Sequence, residues 1–300
     1  GMRSELPEVK NSFKKLKRKK IKSVNIKSQY KADIETRKFL FSKPPFLTFL
    51  SKVFFEFQKS IYNFNNYKKY YFFSYVKYLF NQYRHKKLLT SDYVENINIL
   101  NGKKFIYVPL HTEPESSLHW VSPECFNQME LILSLARDIP SDTYLVIKEH
   151  VYGVGARKKD YYEHIKSLKN TILIDVNISS LEVIKKSSAV AVVGGSAGVE
   201  ASLMGIPVLV FAKYTFYDFL PHVCKISTNE NNYELIRKLI SKGVTQESME
   251  AGSKLRQAII ESSFDMKKYH PLVNRQECSE ESLLAMYKCL RKSFNKVFNL

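Results

Sequence analysis

Cysteine is scarce in this 300-residue chain: its four copies, Cys125, Cys224, Cys278 and Cys289, stand far apart and form no CxxC pair. That spacing argues against a disulfide framework and against a thiolate zinc site, and reduced thiols of the cytoplasm are the expectation. Long apolar runs are missing as well. No stretch approaches the roughly 20 residues a membrane-crossing helix needs, so the chain reads as soluble or peripheral. The start lacks the charged, apolar and cleavage regions of a secretory signal, and Gly1 ahead of Met2 reads as a tag remnant. Asp-x-Asp and HExxH spacings are absent, as are the dinucleotide GxGxxG and Walker GxxxxGK turns. No metal and no cofactor are therefore expected. Glycine and proline number ten each, too few for a low-complexity chain, and 44% hydrophobic residues give a globular composition.

Acidic residues are nearly missing from the first third. Residues 1–104 hold 24 Lys and Arg against 7 Asp and Glu, a net of +17, while the remainder carries only +1 of the total +18. Such a block points to a polyanionic partner, a membrane surface or nucleic acid. No nucleic-acid reader motif accompanies it, so nucleic acid is not the expected partner. Residues 1–38, with the run Lys14-Lys15-Leu16-Lys17-Arg18-Lys19-Lys20, read as a basic arm, disordered or loosely helical.

Residues 39–103 form an amphipathic helical region, and 39–93 hold 19 of the 39 Phe and Tyr. Phe46, Phe49, Leu50, Val53, Phe54 and Phe57 recur at the spacing of one helix face, behind the Pro44-Pro45 pair. Phe72, Tyr75, Val76, Leu79, Phe80 and Tyr83 repeat it, with Lys68, Lys69, Lys77 and Arg84 on other faces. Two helices joined near 63–66 account for the pattern. The stripe either packs on the following domain or meets an anionic membrane through residues 10–90, peripheral at the inner face of the cytoplasmic membrane.

From residue 103 the pattern alternates. Strands are predicted at 104–110, 143–149, 171–175, 189–193, 207–212 and 223–227, and helices at 124–138, 158–169, 179–186 and 197–204. Short apolar strands separated by helices of about ten residues specify α/β architecture with a doubly wound parallel sheet, a Rossmann-like domain over 104–230. Helices at 231–241, 246–263 and 280–297 make 231–300 a helical segment packing on that domain.

Ligands of open parallel sheets sit at the carboxyl ends of strands. That rule selects His111, Glu113 and Glu115 after the first strand, and Lys148 and His150 after the second. It also selects Gly194-Gly195-Ser196-Ala197-Gly198 after the fourth and Lys213-Tyr214 after the fifth. The glycine turn, opening a helix with Glu200 in its first turn, offers backbone N–H groups to a phosphate. Ser196 can cap that helix or bond the ligand, and Glu200 fits a ribose clamp or a helix-end charge. Lys148 and His150, two apart, can face one diphosphate. His111, Glu113 and Glu115 are candidates for acid–base catalysis, for sugar binding or for capping the next helix.

At these residues the sequence resembles bacterial capsule polysaccharide biosynthesis proteins, related to Kdo transferases with a GT-B fold. The resemblance spans about 104–227. It rests on 109–116, on Val146-Ile147-Lys148-Glu149-His150 with Gly153-Val154-Gly155-Ala156-Arg157, and on 194–198 with Glu200-Ala201 and Gly205-Ile206-Pro207-Val208. It implies that this is the carboxyl-terminal half of a GT-B enzyme, binding a nucleotide-sugar donor, with a CMP-sugar favoured. Lys148 and His150 would hold the donor phosphate, residues 194–198 would cradle the nucleotide, and Glu113 and Glu115 would line the cleft. The acceptor is a glycan or glycolipid. His150 is followed by Val151 where the family usually has proline, and Thr112-Glu113 replaces an aromatic and a glutamine. Residues 1–103 show no strand–helix alternation, so the first α/β domain and its catalytic base are expected to be missing from this sequence, a separate partner being one source of them. The chain then reads as a shortened protein, a truncation or one half of a split enzyme. The alternatives are a non-catalytic nucleotide-sugar-binding or assembly subunit, and a GT-B-like sugar-nucleotide epimerase or hydrolase.

Overall fold

The computed structural model describes helical positions 47, 50, 53, 54 and 57, then residues 69–90, 93–113 and 122–262, and helical positions 280, 284, 287, 288, 290 and 291. The predicted arm at 1–38, the joint at 63–66, Glu115 and most of the predicted helix at 280–297 lie outside the described residues. The chain divides into two units, Lys22–Gly252 and Gly1–Ile21 with Ser253–Leu300. The sheet and its loops belong to the first.

A long helix, α1 (Lys69–Leu88), precedes the sheet. The elements then run β1 (Lys104–Pro109), α2 (Gln128–Asp138), β2 (Thr143–Lys148), α3 (Lys159–Ser167), β3 (Thr171–Ile174), α4 (Ser180–Lys186) and β4 (Ala189–Val192). They continue with α5 (Ser196–Leu203), β5 (Val208–Val210), β6 (Val223–Lys225), α6 (Tyr233–Lys242) and α7 (Gln246–Ser262). All six predicted strands are present. The fifth is shorter than the predicted 207–212, and the predicted helix at 124–138 begins only at Gln128, because Pro123–Cys125 form a separate 3-10 turn.

The sheet is wholly parallel, in the order β3-β2-β1-β4-β5-β6. The chain winds outward from β1 through β2 to β3, returns to place β4 on the other side of β1, and winds outward again. Right-handed crossovers in two opposite directions put helices on both faces, the doubly wound arrangement. This explains the continuous apolar strands: Phe105, Ile106 and Tyr107 of β1 and Leu145, Val146 and Ile147 of β2 are fully buried, and so is most of β4. Pro109 closes β1 where a missing N–H costs the ladder least, and Leu110 N–H donates to the Lys148 carbonyl at 2.9 Å just beyond it. Helix α2 turns Leu131, Ile132 and Leu135 inward and leaves Leu133 exposed, each buried aliphatic contributing about 2 kcal/mol. The β3 edge is covered by the segment before β1, where Glu95 N–H donates to the Leu173 carbonyl at 2.9 Å and Asp175 N–H to the Glu95 carbonyl at 3.2 Å.

The order reverses between β1 and β4, the switch point outside whose carboxyl ends folds of this kind place their ligand crevice. Among the described residues no helix is long and apolar enough to cross a membrane. None of them form a group of His, Cys, Asp and Glu that could hold a metal ion.

Candidate site at the carboxyl ends of the strands

Residues predicted from separate loops meet across this crevice. Gly194 and Gly195 follow β4 and lead into α5, whose N-cap is Gly195. The His111 ring, from the loop after β1, lies directly against Gly195: a Cβ there would stand 2.9 Å from His111 Cε1. Only a glycine lets the turn and the imidazole approach so closely. Gly198, one turn into α5, is equally confined, because a Cβ would fall 2.7 Å from Val192 Cγ2 and closer still to the Tyr217 hydroxyl. Two sequence expectations change here. Ser196 is the first helical residue with an exposed side chain, so the capping role falls to Gly195. Glu200 lies in the second turn of α5, because the helix begins at Ser196.

The loop after β1 is held by buried side chains from the start of α2 and from the turn before α3. Gln128, at the start of α2, accepts from His111 N–H at 2.7 Å through Oε1. Its Nε2 donates to the His111 carbonyl at 3.2 Å and to Glu113 Oε1. Arg157, just before α3, donates from Nη2 to the His111 carbonyl at 2.6 Å and to Glu113 Oε1 at 3.0 Å. Its Nη1 reaches both oxygens of Glu149 at 2.7 Å. Glu149, only 1% exposed, also accepts from the Tyr162 hydroxyl and from His150 N–H, each at 2.7 Å. The carboxylate thus has a donor for every direction it faces, the condition for burying a charge.

Electrostatics agree with that geometry. Burial pushes the Arg157 guanidinium down, but the Glu149 carboxylate, with Tyr161 and Glu113 behind it, holds it above its ordinary value. Burial, then Glu149, raises the Tyr162 phenol. Burial carries Tyr161 up to about 12 against the pull of Arg157. Gly153 completes the enclosure, since a Cβ there would meet Glu149 Oε1 at 2.5 Å.

Lys148 and His150 have different surroundings. Lys148, 3% exposed, donates from Nζ to Ser180 Oγ at the start of α4, at 3.2 Å. His150 is exposed, caps a 3-10 turn by accepting from Tyr152 N–H at 3.2 Å through Nδ1, and lies beside the Tyr152 ring. Tyr214, after β5, is exposed with the ammonium groups of Lys213 and Lys225 within 6 Å of its ring.

The sequence pattern of the family described as "Capsule polysaccharide biosynthesis protein" matches residues 16–220, about two thirds of the chain. The chain belongs to this family. The match starts upstream of the sheet, so the basic stretch ahead of the sheet in this capsule polysaccharide biosynthesis protein is part of the shared pattern. No curated protein matches it. Similar solved structures include two KpsC chains from Thermosulfurimonas dismutans. One is a beta Kdo 2,4 transferase (12% identity, 56% of this chain and 59% of that one, TM-score 0.34). The other is a beta Kdo 2,7 transferase (21% identity, 59% and 53%, TM-score 0.36). HepE of Anabaena, in complex with UDP-glucose, is similar at 17% identity over 55% of this chain and 47% of that one, TM-score 0.38. This capsule polysaccharide biosynthesis protein therefore spans less than two thirds of those chains.

Sequence reasoning assigned no role to Arg157, Glu149, Gln128 or Tyr162. Arg157 stands at the end of a glycine-rich turn, Gly153-Val154-Gly155, and an arginine there was a usable signal. Gln128 gave none.

Proposed function

We propose that the crevice between β1 and β4 binds a nucleotide-sugar, and that the protein is a glycosyltransferase or its donor-binding part in capsule polysaccharide assembly. One observation carries this reading. The turn 194–198, at the start of α5, sits over the His111 ring, and Glu113, two residues on from His111, is anchored by Arg157 and Gln128. N–H groups at a helix start suit a phosphate, and a carboxylate suits hydroxyls. Lys148 and His150 would attend the diphosphate or phosphate, with a CMP-sugar as the favoured donor, and Glu115 would join Glu113 and His111 along the cleft. Catalysis would come from positioning and leaving-group stabilisation while an acceptor hydroxyl attacks the anomeric carbon. The base would come from a second α/β domain supplied by a partner, and the acceptor would be a glycan or glycolipid.

A membrane location would suit such an acceptor. On the helical segment ahead of α1, Leu47, Leu50, Phe54 and Phe57 are exposed at 44–62%, within a stretch of strongly positive charge. This face would rest on an anionic bilayer at its cytoplasmic side. A non-catalytic donor-binding subunit is the second reading, favoured by the single parallel sheet among the described residues.

Calorimetry with CMP, UDP and GDP tests the cradle. One nucleotide is expected to bind below millimolar, and His150→Ala to weaken it about tenfold, the scale of one charged hydrogen bond. Absence of binding by all three at millimolar concentration would overturn the reading.

A further inference from the structure

Glu113 directs both its observed bonds through one oxygen. Oε1 accepts from Gln128 Nε2 and from Arg157 Nη2. Oε2 accepts no bond from the described residues, and the side chain is 34% exposed. The two donors come from separate chain segments, the start of α2 and the turn before α3, and are themselves buried, Gln128 at 4% and Arg157 at 7% exposure. Arg157 cannot drift, because its other nitrogen is locked onto both oxygens of Glu149. The same guanidinium holds the His111 carbonyl, and the His111 ring forms the floor under Gly195.

We infer that Arg157, anchored on Glu149, is a positioning residue that aims Glu113 Oε2 at a ring hydroxyl of the bound ligand. This rests on the nucleotide-sugar reading above and sharpens it: Glu113 reads hydroxyls as an acceptor. A phosphate is repelled by a carboxylate, so the turn takes the phosphate and Glu113 takes the polyol beside it. That polyol is either the ribose or the transferred sugar; both present the same donor chemistry. Replacing Glu113 by glutamine keeps an oxygen for Arg157 and Gln128 but puts an NH2 where Oε2 stood, a donor in place of an acceptor.

Titration calorimetry on the full chain decides it, with inorganic pyrophosphate, with CMP, UDP and GDP, and with a sugar conjugate of whichever nucleotide binds. Glu113→Gln is expected not to weaken pyrophosphate binding, since it removes only a repelling charge. A loss of at least tenfold shared by nucleotide and conjugate assigns the ribose, and one confined to the conjugate assigns the transferred sugar. Glu149→Gln with Arg157→Gln, which strands no buried charge, is expected to reproduce that loss and to add less than twofold when combined with Glu113→Gln. Unchanged affinity of Glu113→Gln for every ligand overturns the hydroxyl role. A loss in the Glu149→Gln, Arg157→Gln variant that reaches pyrophosphate, or that multiplies the Glu113→Gln effect, overturns the positioning role, because a loosened fold behaves that way. If the wild-type chain binds no nucleotide, the nucleotide-sugar reading and the hydroxyl role fall together. The clamp is then read from amide hydrogen exchange over 105–113: faster exchange in the double variant alone upholds it, and unchanged exchange removes it.

Discussion

At Gly198 the fold has no room for one more carbon. Its missing side chain is filled by Val192 and the buried Tyr217 ring, so α5 lies close on β4. Gly198→Ala should cost about 1–3 kcal/mol, the usual penalty of overpacking a tight core. Thermal melts should show it, and Tyr217→Phe in the same chain should return part of the loss by removing the nearest atom. Equal melting temperatures for Gly198→Ala and wild type would contradict the crowding. At this scale the glycine turn was legible in the sequence, because an apolar strand followed by small residues and a helix leaves few alternatives. Gln128 was not, since its role arises where three chain segments meet, and Arg157 was marked only by the glycine-rich turn before it. The expected convergence of Lys148 and His150 relied on strand alternation; β2 ends at Lys148, so the direction of His150 is set by the 3-10 turn it caps rather than by the strand.

Among the elements, strands were read almost to the residue where apolar runs meet polar neighbours. Helix starts were read less well. The predicted start at 124 missed that Pro123 opens a separate turn, and that Gln128 begins α2 with its side chain turned into the site. A second junction, unmarked in the sequence, joins the end of α2 to the start of α6. Asp138 Oδ2 accepts from Asn232 N–H at 2.9 Å and from Asn232 Nδ2 at 3.2 Å. Burial raises the Asp138 pKa, the largest single influence. The bonds from Arg137 and from both Asn232 donors together outweigh it and leave the carboxyl below its ordinary value. A carboxyl lowered in the fold stabilises above its unfolded pKa, about 3.9, and loses that contribution as pH falls through the folded value. Asn232→Ala should therefore cost about 1–2 kcal/mol at pH 7. Urea titrations at pH 7 and near pH 3 should show a narrower gap between variant and wild type in acid; a constant gap would separate Asn232 from the Asp138 charge.

For the whole molecule, charge and fold are segregated: the first 104 residues carry a net +17, and the sheet that follows is electrostatically ordinary. The alternating grammar made the sheet legible, whereas the basic region could be read only as amphipathic, because a helix stripe does not name what it faces. If it faces a bilayer, the full chain should float with vesicles containing anionic lipid and release as salt rises, each basic residue near the surface contributing about 1 kcal/mol. Leu50→Glu with Phe54→Glu changes two exposed positions and should abolish flotation without lowering the melting temperature. Undiminished flotation would place the contact elsewhere.

The strand order has a consequence for assembly on the ribosome. β1 is central, and while β2 and β3 are made soon after it, its other neighbour β4 emerges only after α2, α3 and α4 have been synthesised. Until then one edge of β1 has no partner, a separation that slows closure of the sheet. The His111 ring waits through the same interval for the glycine turn that lies over it. The crevice thus takes shape only after the β1-β2-β3 half of the sheet has been made, and a chain stalled before β4 leaves an open apolar strand edge to be shielded.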